Sequence, residues 1–313
     1  MSKIYEALLR AEIDRVARLN GAGQHETLPL ADAEEQGQEQ SSRPRVQEWS
    51  VKPNRLNEDQ PRQEGQPQAE HFTSLIPGVI RTWTPDEKRL PTLQSRGPAV
   101  EQFRVLRSRI SEMRLDRKMK TILISSALPE EGKSFVAANL AIGLAKFRNK
   151  RVLLIDGDMR RGTQHLLLGT TKEPGLTEFL SGKARLEEVM QHCEPSESLT
   201  LKSLASLTFI SAGHDSENAA DLSGNGNFQN LLNASYDKFD WIIVDSSPVT
   251  LVSDGTNLAR CCDGVLFVAR GGSTRYEVAQ RALHELKAAH VLGVVLNAAD
   301  VAPQVAGYYG YGG

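Results

Sequence analysis

Residues 125–134, Ser-Ser-Ala-Leu-Pro-Glu-Glu-Gly-Lys-Ser, constrain this chain more than any other stretch. They follow a short apolar run at 121–124 and open a helical pattern at 135–146. A strand that feeds a Gly-Lys-Ser turn into a helix start is built to hold phosphate. Backbone N–H groups point at the anion there, and the positive end of the helix dipole favours it. The expected nucleotide contacts are Glu131, Gly132, Lys133, Ser134 and Phe135. Lys133 would reach the β- and γ-phosphates of ATP, and the Ser134 hydroxyl would ligate Mg²⁺. Ala127 stands where such a loop usually has its first glycine.

Two acidic strand ends follow. Arg151-Val-Leu-Leu-Ile reads as a buried strand that delivers Asp156, Gly157 and Asp158. Trp241-Ile-Ile-Val does the same for Asp245, which precedes Ser246, Ser247 and Pro248. Ligands of open α/β sheets bind outside the carboxyl ends of the strands. One Asp there commonly caps a turn; Asp156, Asp158 and Asp245 beside a phosphate loop instead point to Mg²⁺ and a positioned nucleophile. Mg²⁺ takes oxygen ligands and usually retains waters, so one direct and one bridged carboxylate suffice. Ser134, Asp158 and Asp245 are the expected metal ligands.

Further buried runs fall at 207–210, 265–268 and 292–296, and helical patterns at 99–113, 227–235 and 275–289 separate most of them. Strands alternating with helices imply a mostly parallel sheet covered on both faces, the α/β fold of a P-loop NTPase. The apolar residues are unevenly spread. From about residue 20 to 91 the chain is rich in Gln, Glu, Pro, Ser and Arg and lacks apolar periodicity, so it reads as a disordered linker. The expected organisation is an amphipathic helix over 1–19, a mostly disordered linker over 20–97, a catalytic domain over 98–300 and a tail over 301–313. In the first helix Tyr5, Leu9, Ile13 and Val16 share a stripe beside Ile4 and Leu8, a face that needs a partner.

The net charge of −2 gives no argument for nucleic-acid binding. Cys193, Cys261 and Cys262 are few and odd in number, which suits a reducing compartment and excludes a disulfide framework. The N-terminus carries charges throughout without an apolar core, and no run approaches the roughly 20 apolar residues that span a bilayer. A cytoplasmic protein is expected, with any membrane association made through a partner.

These motifs together resemble the bacterial tyrosine kinases of capsule and exopolysaccharide assembly, the BY-kinases, over roughly residues 99–297 and the tail. The matching segments are the phosphate loop 125–134, Leu153-Leu-Ile-Asp-Gly-Asp-Met-Arg-Arg161, Ile242-Ile-Val-Asp-Ser-Ser-Pro248 and Pro174-Gly-Leu-Thr-Glu-Phe-Leu-Ser-Gly182. Ahead of them, Glu101, Arg104 and Arg107 reproduce a Glu-x-x-Arg-x-x-Arg motif that supports ring-like self-association in that family. Three residues apart on a helix, they share a face. Met1-Ser-Lys-Ile-Tyr-Glu-Ala-Leu8 is similar to the subgroup encoded with exosortase-linked polysaccharide systems.

The resemblance implies an ATP-dependent tyrosine autokinase. Its acceptors would be Tyr308, Tyr309 and Tyr311, set among glycines at the end of the chain. From Ala302 an extended tail reaches roughly 35 Å, at about 3.3 Å per residue, enough to enter a neighbour's site. Lys133 would hold phosphate, Asp156 would accept the tyrosine proton, Asp158 and Asp245 would complete the metal shell, and Asn297 would contact adenine. Arg160 and Arg161 would face phosphate or another subunit's tail. The implied partners are the cytoplasmic segment of a membrane polysaccharide chain-length regulator, further copies of the chain in a ring, and a cognate tyrosine phosphatase. Two alternatives are a nucleotide switch of the partition and septum-placement type and an ATP-binding scaffold without kinase activity. The first carries an additional Lys at the loop position that Leu128 occupies here. Asn218-Ala-Ala-Asp-Leu222 departs from the family's usual Asn-Pro-Ser-Glu-Leu.

Overall fold

The computed structural model describes residues 76–116, 118–147 and 150–299. The N-terminal helix, most of the linker, and the tail with Tyr308, Tyr309 and Tyr311 lie outside the described residues.

Eight strands form one sheet: β1 (Val79–Arg81), β2 (Thr121–Ser126), β3 (Val152–Asp156), β4 (Met190–Cys193), β5 (Leu207–Ile210), β6 (Trp241–Asp245), β7 (Gly264–Arg270) and β8 (Val291–Asn297). Their order across the sheet is β1-β4-β5-β3-β6-β2-β7-β8. Every pairing is parallel except β4 with β5. The expected mostly parallel α/β sheet is what forms.

The helices that matter to the site are α1 (Pro98–Asp116), α2 (Lys133–Ala145) and α3 (Gln164–Leu168). After α4 (Leu176–Leu180), α5 (Leu186–Val189), α6 (Leu199–Lys202) and α7 (Ala219–Gly224) come α8 (Asn227–Tyr236), α9 (Asp254–Cys261) and α10 (Tyr276–Glu285). The central strands read as continuous apolar runs because both of their faces are covered. Ile122, Ile124, Leu154 and Ile243 point to a core shared with Phe103 and Ile110 of α1 and Val136 and Leu140 of α2. Leu123, Ile155, Ile242 and Val244 point to the opposite core, shared with Phe228 and Leu231 of α8, Leu258 of α9 and Ala279 of α10. That alternation is the two-residue period of a strand, here apolar on both sides.

The domain begins before residue 98. Residues 76–97, which composition assigns to the linker, include β1 and a 3₁₀ turn at Pro91–Leu93. Ile76, Trp83, Leu90 and Leu93 are buried. Asn139 of α2 receives the Thr92 N–H and hydroxyl at 3.2 and 2.8 Å and donates to the Arg89 carbonyl at 3.1 Å. Lys146 donates to the carbonyls of Thr92 and Leu93. A few well-spaced apolar anchors and backbone hydrogen bonds hold this polar segment down. The other unexpected strand, β4, is short and polar (Met-Gln-His-Cys), and two of its buried polar groups find side-chain partners. Gln191 accepts from Thr170 at 2.8 Å, and His192 Nδ1 meets the Thr208 hydroxyl at 3.2 Å.

Candidate active site

The three motifs converge because β3, β6 and β2 are neighbours in the sheet. β2 runs into the phosphate loop, while Asp156 and Asp245 end β3 and β6 directly opposite each other in register. Adjacent strands lie about 4.8 Å apart, so the two carboxylates act on each other.

The loop is rigidly built. Gly132 has φ +95°, and a Cβ there would lie 1.9 Å from Asn297 Nδ2. Only glycine fits both the left-handed backbone and the close approach. Asn297, expected at adenine, donates its amide to the Glu131 carbonyl at 3.0 Å and so buttresses the loop from the end of β8. Glu131 is buried and turned inward: it accepts from the Leu128 N–H at 2.8 Å and from the Thr274 hydroxyl. Arg270 donates to the Glu130 carbonyl at 3.1 Å, and Thr250 to that of Ala127. Ala127 causes no strain, since Glu130 and Ala298 are the non-glycine residues with positive φ among those described.

Helix α2 starts at Lys133, so its free N–H groups and dipole face the loop's concavity. The Lys133 ammonium lies 3.2 Å from Asp158 Oδ2 and 3.4 Å from the Ser134 hydroxyl. Burial pulls the Lys133 pKa down, but Asp245, Asp158 and Asp156 outweigh it and hold it above the ordinary lysine value. Burial first, and Asp245 second, push Asp156 up to about 8. Burial likewise raises Asp245, against the pull of Lys133. The loop thus carries one fixed ammonium beside two carboxyls that resist ionisation.

Sequence reasoning missed Gln164, which opens α3. Its N–H donates to Asp156 Oδ2, and its side chain donates to Asp245 Oδ2 and the Ser134 carbonyl, each at 3.0 Å. A polar residue opening a short helix is ordinary in a sequence, and no local signal marks it.

A cavity of about 660 Å³ opens over the loop, lined by Lys133, Ser134, Phe135, Asp158, Arg161 and Leu251 among others. Asp158 is part of its wall; Asp156 and Asp245 are not. Phe135 also packs its ring 5.6 Å from Phe103 of α1. Arg160 lines the cavity and points its Nε at the buried Asp254, 3.4 Å away, whose other oxygen accepts from the Ser247 hydroxyl at 2.7 Å. Glu101, Arg104 and Arg107 are on α1, outside the cavity wall. Arg104 pairs with Glu101 and donates to the Ser95 carbonyl at 2.8 Å. Arg107 instead turns onto its own domain: it donates to the Gly143 carbonyl at 3.2 Å and lies 4.3 Å over the Phe147 ring.

A divalent cation fits this chemistry. Ser134, Asp158 and Asp245 are hard oxygen donors, and Asp245 Oδ1 is a buried acceptor with no hydrogen-bond partner. Among the described residues no three His, Cys, Asp or Glu side chains gather as a metal cage. Mg²⁺ keeps waters and phosphate oxygens in its shell and needs few protein ligands.

The chain is similar to known proteins in sequence and in fold. Residues 119–270 match the model of the AAA domain family. The tyrosine-protein kinase YwqD of Bacillus subtilis is 32% identical over 213 residues, 67% of this chain and 86% of that protein. The tyrosine-protein kinase ptk of Acinetobacter johnsonii is 36% identical over 227 residues, 71% of this chain but only 29% of that protein. Similarly, the match to the tyrosine-protein kinase etk of Escherichia coli spans 28% of its length. Among solved structures, the kinase domain of Escherichia coli tyrosine kinase ETK superposes with a TM-score of 0.62 at 29% identity, over 72% of this chain and 85% of that one. The BceF tyrosine kinase domain does so with a TM-score of 0.57 at 31% identity, over 66% and 80%. At 32% identity over 86% of YwqD, and with the ETK kinase domain superposing over 72% of its own length, the chain belongs to the bacterial tyrosine-protein kinase family.

Proposed function

We propose that the chain is an ATP-dependent protein-tyrosine autokinase that transfers the γ-phosphoryl group of Mg-ATP to Tyr308, Tyr309 and Tyr311 of its own tail or a neighbour's. The observation that carries this reading is the meeting of Lys133 and Ser134 with Asp156, Asp158 and Asp245 at three adjacent strand ends. Phosphoryl transfer needs little covalent work from a protein; positioning and charge neutralisation carry it. Lys133 and the loop N–H groups would hold the phosphates. Ser134, Asp158 and Asp245 would hold Mg²⁺, which when bound neutralises charge on the phosphate oxygens. On the family resemblance we assign Asp156 the tyrosine proton; burial and Asp245 raise its carboxyl to about 8, so it takes that role only in the ionised form, which Lys133 favours. Asp158 is the second candidate for that role, because it lines the cavity.

The apolar part of the wall, with Pro248 and Leu251, offers an aromatic ring a surface beside the phosphates. Leu128, at the position where partition-type switches carry a second lysine, disfavours that alternative. The wider proposal places the chain at the inner face of the cell membrane in exopolysaccharide or capsule production. There a chain-length regulator recruits it through helix 1–19, a phosphatase resets it, and α1 builds a ring through Glu101, Arg104 and Arg107. The exosortase-linked subgroup is the proposed setting. Among the described residues no helix is long and apolar enough to cross a membrane.

Incubation of the full chain with Mg-ATP, followed by mass spectrometry, tests the reading. Phosphate on the tail tyrosines that disappears in Lys133→Met is expected. ATP hydrolysis without tail phosphate would make the protein a switch, and absence of both, even with a regulator peptide, a scaffold. Asp156→Asn and Asp158→Asn, compared at saturating ATP, assign the proton acceptor.

A further inference from the structure

Gln164 is fully buried and joins three segments that the sequence keeps far apart. Its backbone N–H holds Asp156 Oδ2, and its side-chain Nε2 holds both Asp245 Oδ2 and the Ser134 carbonyl. The Ser134 carbonyl can only accept, so it fixes the orientation of the amide with Nε2 toward it; reversed, Oε1 would face that carbonyl oxygen. Both hydrogens of the NH₂ group are therefore engaged. Among the described residues two buried acceptors remain without a hydrogen-bond partner at this junction, Gln164 Oε1 and Asp245 Oδ1, while the nearby Ser134 hydroxyl also favours the Asp245 carboxylate. Buried acceptors are costly unless a donor or a cation meets them.

We infer that Gln164 is a positioning residue for the divalent cation at the phosphate loop. By holding Asp245 Oδ2 it leaves Oδ1 as the oxygen free to face a cation, and its own Oε1 is left to accept from the cation's water shell. By tying Ser134 to the ends of β3 and β6 it also keeps the hydroxyl of that residue in register with the carboxylates. Outer-shell partners of this kind are commonly worth 10- to 100-fold in metal affinity. The inference rests on the nucleotide-binding part of the kinase reading, and not on tyrosine as the acceptor. The competing role is structural: Gln164 would satisfy the Ser134 carbonyl and nothing more.

The full chain with Gln164→Met, which keeps the length and loses both donors, separates the two. Binding of a fluorescent ADP (N-methylanthraniloyl-ADP) is titrated in EDTA and again with increasing Mg²⁺, and thermal melting is followed alongside. The expected result is affinity in EDTA within about threefold of wild type, with Mg²⁺ required at about 10- to 100-fold higher concentration for the same tightening. An unchanged Mg²⁺ dependence, or equal losses in EDTA and in Mg²⁺, would overturn the inference. Should Gln164→Met fail to melt cooperatively, Gln164→Asn, with the amide drawn back by one methylene, decides by the same comparison. Wild type that binds Mg-ADP but phosphorylates nothing would sink the kinase reading and leave this inference standing. Wild type with no Mg²⁺-dependent binding would sink both.

Discussion

Trp83 is the residue on which the start of the folded domain depends. It lies at 1% exposure, and its ring stands edge-on to Phe209 of β5, 87° between planes and 6.2 Å between centroids. Removing a buried Trp or Phe side chain to Ala costs about 3–5 kcal/mol, because the lost transfer energy is joined by the cavity left behind. An aromatic pair of this geometry accounts for about 0.5–1.5 kcal/mol of such a loss. Against a usual domain stability of about 5–15 kcal/mol, Trp83→Ala should remove a large share. Trp83 Nε1 has no hydrogen-bond partner among the described residues, so the polar end of the indole adds little. Trp83→Phe keeps a ring against Phe209 and should lose less than half as much. Urea denaturation of the full chain followed by far-UV circular dichroism gives both values, with an unchanged slope on denaturant expected. A loss below about 1 kcal/mol for Trp83→Ala is the size of a surface substitution. That result would return residues 76–97 to the linker and refute the packing described for them.

Gly132→Ala should abolish tight nucleotide binding, and adding Asn297→Ala should not restore it. The second change relieves the contact but not the φ of +95°, where a Cβ costs about 1–2 kcal/mol; full affinity in the double variant would refute the backbone argument. Burial holds the His192 pKa below its ordinary value, so the folded protein keeps this imidazole neutral. Below about pH 6.5 the unfolded chain binds a proton that the folded chain resists, and stability falls as pH drops from 7 toward 5. His192→Gln should flatten that slope in melting experiments, and parallel slopes would exclude the assignment. Burial raises the thiols of all three cysteines, Cys193 to about 11 and Cys262 well above its ordinary value. Alkylation at pH 8 should therefore be slow in the native protein and rapid on unfolding, because only the thiolate reacts; equal rates would contradict it.

The segments whose local chemistry is self-sufficient were legible in the sequence. Strands buried on both faces must be unbroken apolar runs, so β2, β3, β5, β6 and β7 declare themselves. A Gly-Lys-Ser turn between strand and helix carries its purpose in a few consecutive residues, and an Asp that ends such a strand is placed by the strand itself. Lys133, Ser134, Asp156, Asp158 and Asp245 could therefore be named before any contact was known. Tertiary structure decided what depends on residues distant in sequence. Whether residues 76–97 fold turns on a few anchors reaching α2 and β5, which composition averages away. The polar strand β4 buries Gln191 and His192, whose partners Thr170 and Thr208 lie elsewhere in the sequence. Asn297 supports the loop rather than standing free, Arg107 folds back on Phe147, and Gln164 becomes the junction of three motifs. In each case a common polar residue acquires its part from partners up to 166 positions away. A hydrogen bond needs its two atoms within about 3 Å, a condition set by the folded backbone.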